Sequence, residues 1–186
     1  VIFATVGSTQ FPFDRMIRAL DRLPGDQLWV QHGPVSPPPG AAEAQAFMEF
    51  PEVIERMEAA DVVVCHAGAG SILCAFRAGH TPVVVPRLAV HSETVDDHQL
   101  ELARALAADG RVIAVEDPAT LAEAVASAPP RRATEGGDDL LPIQLAVREA
   151  IAGPRPRGGL DLVGEGGAHS FPHQRHFGLA QRRTHR

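Results

Sequence analysis

The residues best suited to chemistry form one short turn, His66-Ala-Gly-Ala-Gly-Ser71. It lies between an apolar run, Asp61-Val-Val-Val-Cys65, and a segment from Ile72 to Ala78 that reads as a helix. A strand that passes through small residues into a helix leaves bare backbone N–H groups at the positive end of the helix dipole. Those groups favour an anion, phosphate above all. Gly68 and Gly70 let a ligand approach where a Cβ would block it, so Gly68, Ala69, Gly70 and Ser71 are read as a diphosphate cradle. A close helix–strand packing turn also favours Gly and Ala, and both readings apply to this stretch. Gly7-Ser8-Thr9 follows the first apolar run. Its hydroxyls and free N–H groups suit a phosphate or a sugar hydroxyl, or else they cap the helix that follows.

Three further positions share this character. Asp97-His98-Gln99 opens a helical segment, and an acid beside an amide can pair with sugar hydroxyls, which both donate and accept. Arg87 follows an apolar run and suits a phosphate oxygen, though a solvated Arg is the plain alternative. His66 and His32 each end an apolar run and are the two candidates for a catalytic group, with a satisfied structural histidine as the default. The turn is not a dinucleotide fingerprint. Leu73 stands where the third Gly belongs, and Pro86-Arg-Leu88 follows the next strand where a ribose-binding acid is expected.

These residues need a scaffold that gathers them. Val1 to Val6, Gln27 to Gln31, Ala46 to Phe50, Asp61 to Cys65, Pro82 to Pro86 and Arg111 to Val115 read as strands. Pro12 to Leu23, Pro51 to Ala59, Ile72 to Ala78, Asp96 to Ala108 and Pro118 to Ser127 read as helices, with apolar residues at helical spacing. Alternation of this kind predicts an α/β fold, an open, doubly wound, Rossmann-like parallel sheet. Such sheets bind ligands beyond the carboxyl ends of their strands, and every candidate loop follows a strand. Pro129 to Asp138 reads as a linker and Asp139 to Ile151 as one more helix. The expected domain runs from 1 to 152. From Gly153 to Arg186 periodicity is lost, and the stretch is expected to be a disordered basic tail with six Arg and two acids.

Composition narrows the chemistry. The 186 residues carry a formal net charge of −6, which argues against a nucleic-acid binder. There is no Lys, so a Walker phosphate loop and a Schiff-base lysine are excluded. Cys65 and Cys74 lack metal-ligand spacing and suggest a reducing compartment. No apolar run approaches the ~20 residues of a membrane helix.

Four pieces, in this order and spacing, resemble glycosyltransferase family 28. They are Thr5-Val-Gly-Ser-Thr9, Ala60-Asp-Val-Val-Val-Cys-His-Ala-Gly-Ala-Gly-Ser71, Pro82-Val-Val-Val-Pro-Arg87 and Asp96-Asp-His-Gln99. The resemblance is to the C-terminal, donor-binding half of the GT-B architecture and covers Val1 to about Ser127. Within the family the chain looks most like the short stand-alone members. These are the catalytic subunit of two-component N-acetylglucosaminyltransferases and its bacterial exopolysaccharide counterparts. The resemblance implies a sugar-nucleotide donor, by preference a UDP-linked hexose or N-acetylhexosamine, and inverting transfer without a metal or other cofactor. It also implies a membrane-associated partner subunit that holds the acceptor, and a cytoplasmic place, peripheral at the membrane face through that partner. Residue by residue, it puts Gly7, Ser8 and Thr9 near the donor phosphates and His66 to Ser71 at the diphosphate. Phe50 and Pro51 bracket the uracil, and Asp97 and Gln99 lie near the sugar. Cys74 stands where many relatives have a ribose-binding Glu, and His91-Ser-Glu-Thr94 departs from the Gly-Glu-His usual in bacterial members. The competing readings are a sugar-nucleotide-binding module without turnover and a sugar-nucleotide 2-epimerase relative.

Overall fold

The structure is a computed structural model that describes residues 1–132. The expected helix at Asp139 to Ile151, the boundary after residue 152 and the tail lie outside the described residues.

Six strands form one parallel sheet: β1 (Ile2–Thr5), β2 (Leu28–Gln31), β3 (Glu43–Gln45), β4 (Val62–His66), β5 (Val83–Val85) and β6 (Ile113–Ala114). Their spatial order is β3-β2-β1-β4-β5-β6. Five α-helices alternate with them: α1 (Asp14–Leu20), α2 (Phe50–Ala59), α3 (Ala69–Arg77), α4 (His98–Ala108) and α5 (Leu121–Ala126). The central strands are near-continuous runs of Val, Ile and Ala because both of their faces are covered. Side chains alternate between the faces. Ile2, Ala4, Val6, Val64, Val83 and Val85 pack with α1 and α5. Phe3 and Val63 pack toward α2 and α3, and Cys65 and Val84 toward α3 and α4. The doubly wound fold expected from the alternation is therefore present. Strand order reverses between β1 and β4, which places the crevice for a ligand above their carboxyl ends.

Local departures from the expected elements have physical causes. The third strand is Glu43–Gln45, not Ala46 to Phe50, and all three of its residues are exposed. It is an edge strand held by backbone bonds, with His32 N–H donating to Gln45 O (3.0 Å) and Gly33 N–H to Ala46 O (2.9 Å). No apolar alternation marks it. Helix α1 starts at Asp14 rather than Pro12, and α3 starts at Ala69, so Gly70 and Ser71 lie inside its first turn. The last helix begins as a 3-10 turn over Pro118–Thr120, capped by the Asp117 side chain.

Candidate functional site

The two glycine turns meet on His66. Its ring is enclosed between Gly7, after β1, and Gly68, after β4. A Cβ on Gly7 would stand 2.5 Å from His66 Cε1, and one on Gly68 would stand 2.3 Å from His66 Nε2. Such separations are far inside van der Waals contact, so both positions exclude any larger residue while the ring is there. Gly7 also has φ +80°, a left-handed conformation that glycine adopts without cost. Two of the three glycines expected to admit a ligand thus admit a histidine instead. Gly70 alone has open space where its Cβ would point.

Burial pushes the His66 imidazole down to about 4, and the nearby Arg87 charge acts in the same direction, against a weaker pull from the Thr5 carbonyl. The ring is neutral at pH 7, and its buried Nδ1 has no hydrogen-bond partner among the described residues. A base this weak is poorly matched to abstracting an acceptor proton. His32, the other catalytic candidate, is half-buried, and its Nδ1 donates to Val35 O at 2.6 Å. That bond to a pure acceptor leaves Nε2 as the ring's acceptor.

The start of α3 is the open part of the site. Gly68 is its N-cap, and no side chain caps it. The Ile72 N–H donates to Gly68 O (3.1 Å), while the N–H groups of Ala69, Gly70 and Ser71 have no acceptor among the described residues. The first turns of α1, α2, α4 and α5 each hold an acid, namely Asp14, Glu52, Glu101 and Glu123. The first turn of α3 holds none. An acid at a helix start complements the dipole. Among the described α-helices, α3 keeps that place vacant, at the crevice between β1 and β4.

The first turn is closed by its own side chains. Thr5 Oγ1 donates to Gln31 Oε1 and accepts from Gly7 N–H (3.0 Å). Thr9 Oγ1 accepts from Phe11 N–H (3.3 Å). Ser8 is exposed. The N-cap of α1 is Phe13, so Ser8 and Thr9 do not cap that helix.

Arg87 is neither a solvated surface residue nor an exposed phosphate clamp. It is 1% exposed, and its guanidinium donates to the carbonyls of Val6, Phe11, Pro12 and Glu93. Burial lowers it to about 10, opposed by the Glu93 carboxylate, so it stays charged at neutral pH. The expected direct contact with a diphosphate is therefore replaced by contacts to the loops. A charged residue after a strand reads as exposed unless its partners are known, and here they are backbone carbonyls distant in sequence. Glu93 carries no sequence signal either, because its partner Arg15 is 78 residues away. It is 4% exposed, with Arg15 Nε at 3.0 Å and Nη2 at 2.8 Å.

Asp97 and Gln99 sit at the start of α4, beside the loop after β5. Asp97 Oδ1 accepts from Ala89 N–H (2.9 Å), and Gln99 Oε1 accepts from Arg87 N–H (3.2 Å). Phe50, 66% exposed, and Pro51 open α2 just beyond β3. They lie on the same sheet edge, two strands from β1. At ~5 Å per strand that is about 10 Å from the crevice. Cys74 packs in the apolar cluster with Met48 and Val53, which flank Phe50–Pro51. Burial raises its pKa, against the opposing charge of Arg77. Among the described residues no three His, Cys, Asp or Glu side chains converge as metal ligands. No helix there is long and apolar enough to cross a membrane.

Known proteins share this arrangement of sequence. The chain is 39% identical over 67 residues to the UDP-N-acetylglucosamine transferase subunit ALG13 of Yarrowia lipolytica, a match covering 36% of this chain and 32% of that one. It is 31% identical over 125 residues to the Homo sapiens protein of the same name, covering 60% of this chain and 10% of the relative. With the Mus musculus protein the figures are 31% over 122 residues, 59% and 10%. The match therefore spans a third or less of the length of these curated relatives. The glycosyltransferase family 28 C-terminal domain matches residues 1–134, which takes in the whole sheet and both turns, and the chain belongs to that family.

Proposed function

We propose that this chain is the donor-binding half of a sugar-nucleotide glycosyltransferase. It binds a UDP-linked hexose or N-acetylhexosamine and transfers the sugar, with inversion, to a lipid-linked or other acceptor held by a partner subunit. The observation that carries this reading is the uncapped, acid-free start of α3 at the point where strand order reverses. In the reaction an acceptor hydroxyl attacks the anomeric carbon as the bond to the diphosphate breaks. Negative charge grows on the leaving nucleoside diphosphate. The N–H groups of Ala69, Gly70 and Ser71 meet that charge and need no reorganisation to do so. A helix start supplies the role that a divalent ion plays elsewhere, so the reading is of metal-independent transfer.

Phe50 and Pro51 take the base, the first turn at Gly7, Ser8 and Thr9 borders the phosphates, and Asp97 and Gln99 take the sugar. His66, neutral and enclosed, shapes the floor between the two turns. The proton of the acceptor hydroxyl goes to a base on the partner subunit, His66 being too weak a base for it, and His32, whose Nε2 is left as an acceptor, is the candidate on this chain. The names of the relatives, each a UDP-N-acetylglucosamine transferase subunit, support the donor class and the dependence on a partner. The partner brings the chain to the cytoplasmic face of a membrane.

The test is calorimetric titration of the purified chain with UDP, GDP and TDP, with and without magnesium. UDP is expected to bind in the micromolar range without the metal, and no binding below millimolar for any of the three refutes the donor site. Co-expression with a membrane-associated acceptor half is then expected to give sugar transfer to a lipid fraction. Cys74, packed among apolar side chains where a ribose-binding acid is expected, favours a second reading, a binding module without turnover. Nucleotide binding with no transfer under any pairing supports that alternative.

A further inference from the structure

Arg87 presents a physical puzzle. Removing a guanidinium from water costs several kcal/mol. Yet no acid lies within ion-pair distance of Arg87 among the described residues, and its Nε has no partner. An apolar residue would fill the space at less cost. What the guanidinium supplies is reach. Nη2 donates to Val6 O (2.9 Å), directly before Gly7. Nη1 donates to Phe11 O (3.0 Å) and Pro12 O (3.3 Å), which close the same turn, and to Glu93 O (3.1 Å) in the loop after β5. The guanidinium carbon lies 4.4 Å from the centroid of the Phe13 ring, which supports the plane from one side. The Arg87 backbone N–H donates to Gln99 Oε1. With its oxygen turned toward Arg87 N–H, the Gln99 amide has its NH2 directed away from that bond and free to donate.

We propose that Arg87 is a positioning residue for the donor site. Its guanidinium ties the turn after β1 to the loop after β5, and its backbone N–H turns the Gln99 amide so that this side chain acts toward the sugar as a donor. Asp97, one oxygen held by Ala89 N–H, keeps its other oxygen as an acceptor. The two side chains then offer the sugar complementary partners. This inference rests on the donor-site reading. The span, rather than the charge, is the working property, because a lysine ammonium cannot reach carbonyls on both sides of the crevice at once.

The experiment compares Arg87→Lys and Arg87→Met with the wild-type chain for binding of UDP and UDP-N-acetylglucosamine. Both variants are expected to bind the sugar nucleotide at least tenfold more weakly, with Lys no better than Met. Wild-type affinity in either variant overturns the proposal. A core variant away from the site, Leu106→Val, controls for lowered stability and is expected to keep wild-type affinity. A parallel loss there shows that the Arg87 effect is only structural. Should both Arg87 variants fail to fold, Gln99→Glu carries the test. It can still accept from Arg87 N–H but has no NH2, so it is expected to bind UDP normally and UDP-N-acetylglucosamine tenfold more weakly. Unchanged sugar-nucleotide binding refutes the assigned amide orientation. NMR spectra of the free chain separate this inference from the donor reading. In Arg87→Lys the backbone amides of Gly7 to Thr9 and the Gln99 side-chain amide are expected to shift, whether or not the wild-type chain binds a nucleotide. Unmoved resonances overturn the positioning role alone.

Discussion

The two glycine turns leave adjacent strands and enclose the same histidine, but they differ in what they leave unsatisfied. In the turn after β1, Thr5 and Thr9 accept backbone N–H groups, and Arg87 collects the carbonyls of Val6, Phe11 and Pro12. The turn after β4 has three N–H groups without an acceptor among the described residues, and it has no side-chain cap and no acid. A glycine-rich turn is therefore not by itself a ligand site. The first turn is largely scaffold, and the second holds the open donors that an anion needs. Gly68 belongs to the scaffold although it lies in the second turn, because its missing Cβ makes room for His66.

This contrast can be broken by experiment, and the largest effects fall on the scaffold glycines. Gly7→Ala and Gly68→Ala are each expected to destabilise the fold by about 1–3 kcal/mol, measured by urea unfolding, because the His66 ring must shift to admit a Cβ. In a His66→Ser background the cost at Gly68 should vanish. At Gly7 about 1 kcal/mol should persist, because its φ of +80° disfavours alanine whatever the space. Equal costs in both backgrounds would contradict the shared-histidine account. Gly70→Asp should do the opposite. Its Cβ meets open space, and an acid in the first turn of α3 favours the dipole, so the melting temperature is expected to hold or rise. UDP binding is expected to fall about a hundredfold, or ~2.8 kcal/mol, as the carboxylate takes the place of the phosphate. Retained affinity would place the anion elsewhere.

A smaller effect comes from pH. The His66 pKa is lowered to about 4, so folding gains from its neutral state above the ordinary histidine value and loses that gain as pH falls through 6.5 toward 4. Between pH 7.5 and 5 the loss should be about 2 kcal/mol. His80 is shifted in the same direction and adds to the trend. His66→Asn should flatten the profile, and an unchanged slope would assign the effect to His80. The smallest change is expected at Ser92, the one non-glycine residue with positive φ (+56°) among those described. Ser92→Gly should stabilise the chain by up to about 1 kcal/mol, read as a rise in urea midpoint.

Much of this was legible in the chain. Five of the six strands and the helices between them follow from apolar runs and helical spacing, and strands alternating with helices imply a parallel sheet. The exposed edge strand is not legible, because Glu43, Ala44 and Gln45 carry no buried face. The first turn of α3 reads as loop, because Gly70 is a weak helix former. The meeting of Gly7, His66 and Gly68 was not legible, since it depends on two strands becoming neighbours across a long stretch of sequence. Nor was the burial of Arg87, because its acceptors are main-chain carbonyls, which no side-chain pattern announces.

The end of the sheet opposite the crevice is closed by one side chain. The Arg131 guanidinium donates to the carbonyls of Glu58 and Ala78, at the carboxyl ends of α2 and α3, and Arg132 N–H donates to Gly79 O. A cation there satisfies carbonyls that the two helices leave open. The body can thus be tethered to a surface by this edge, and the rim that carries both turns then remains facing outward.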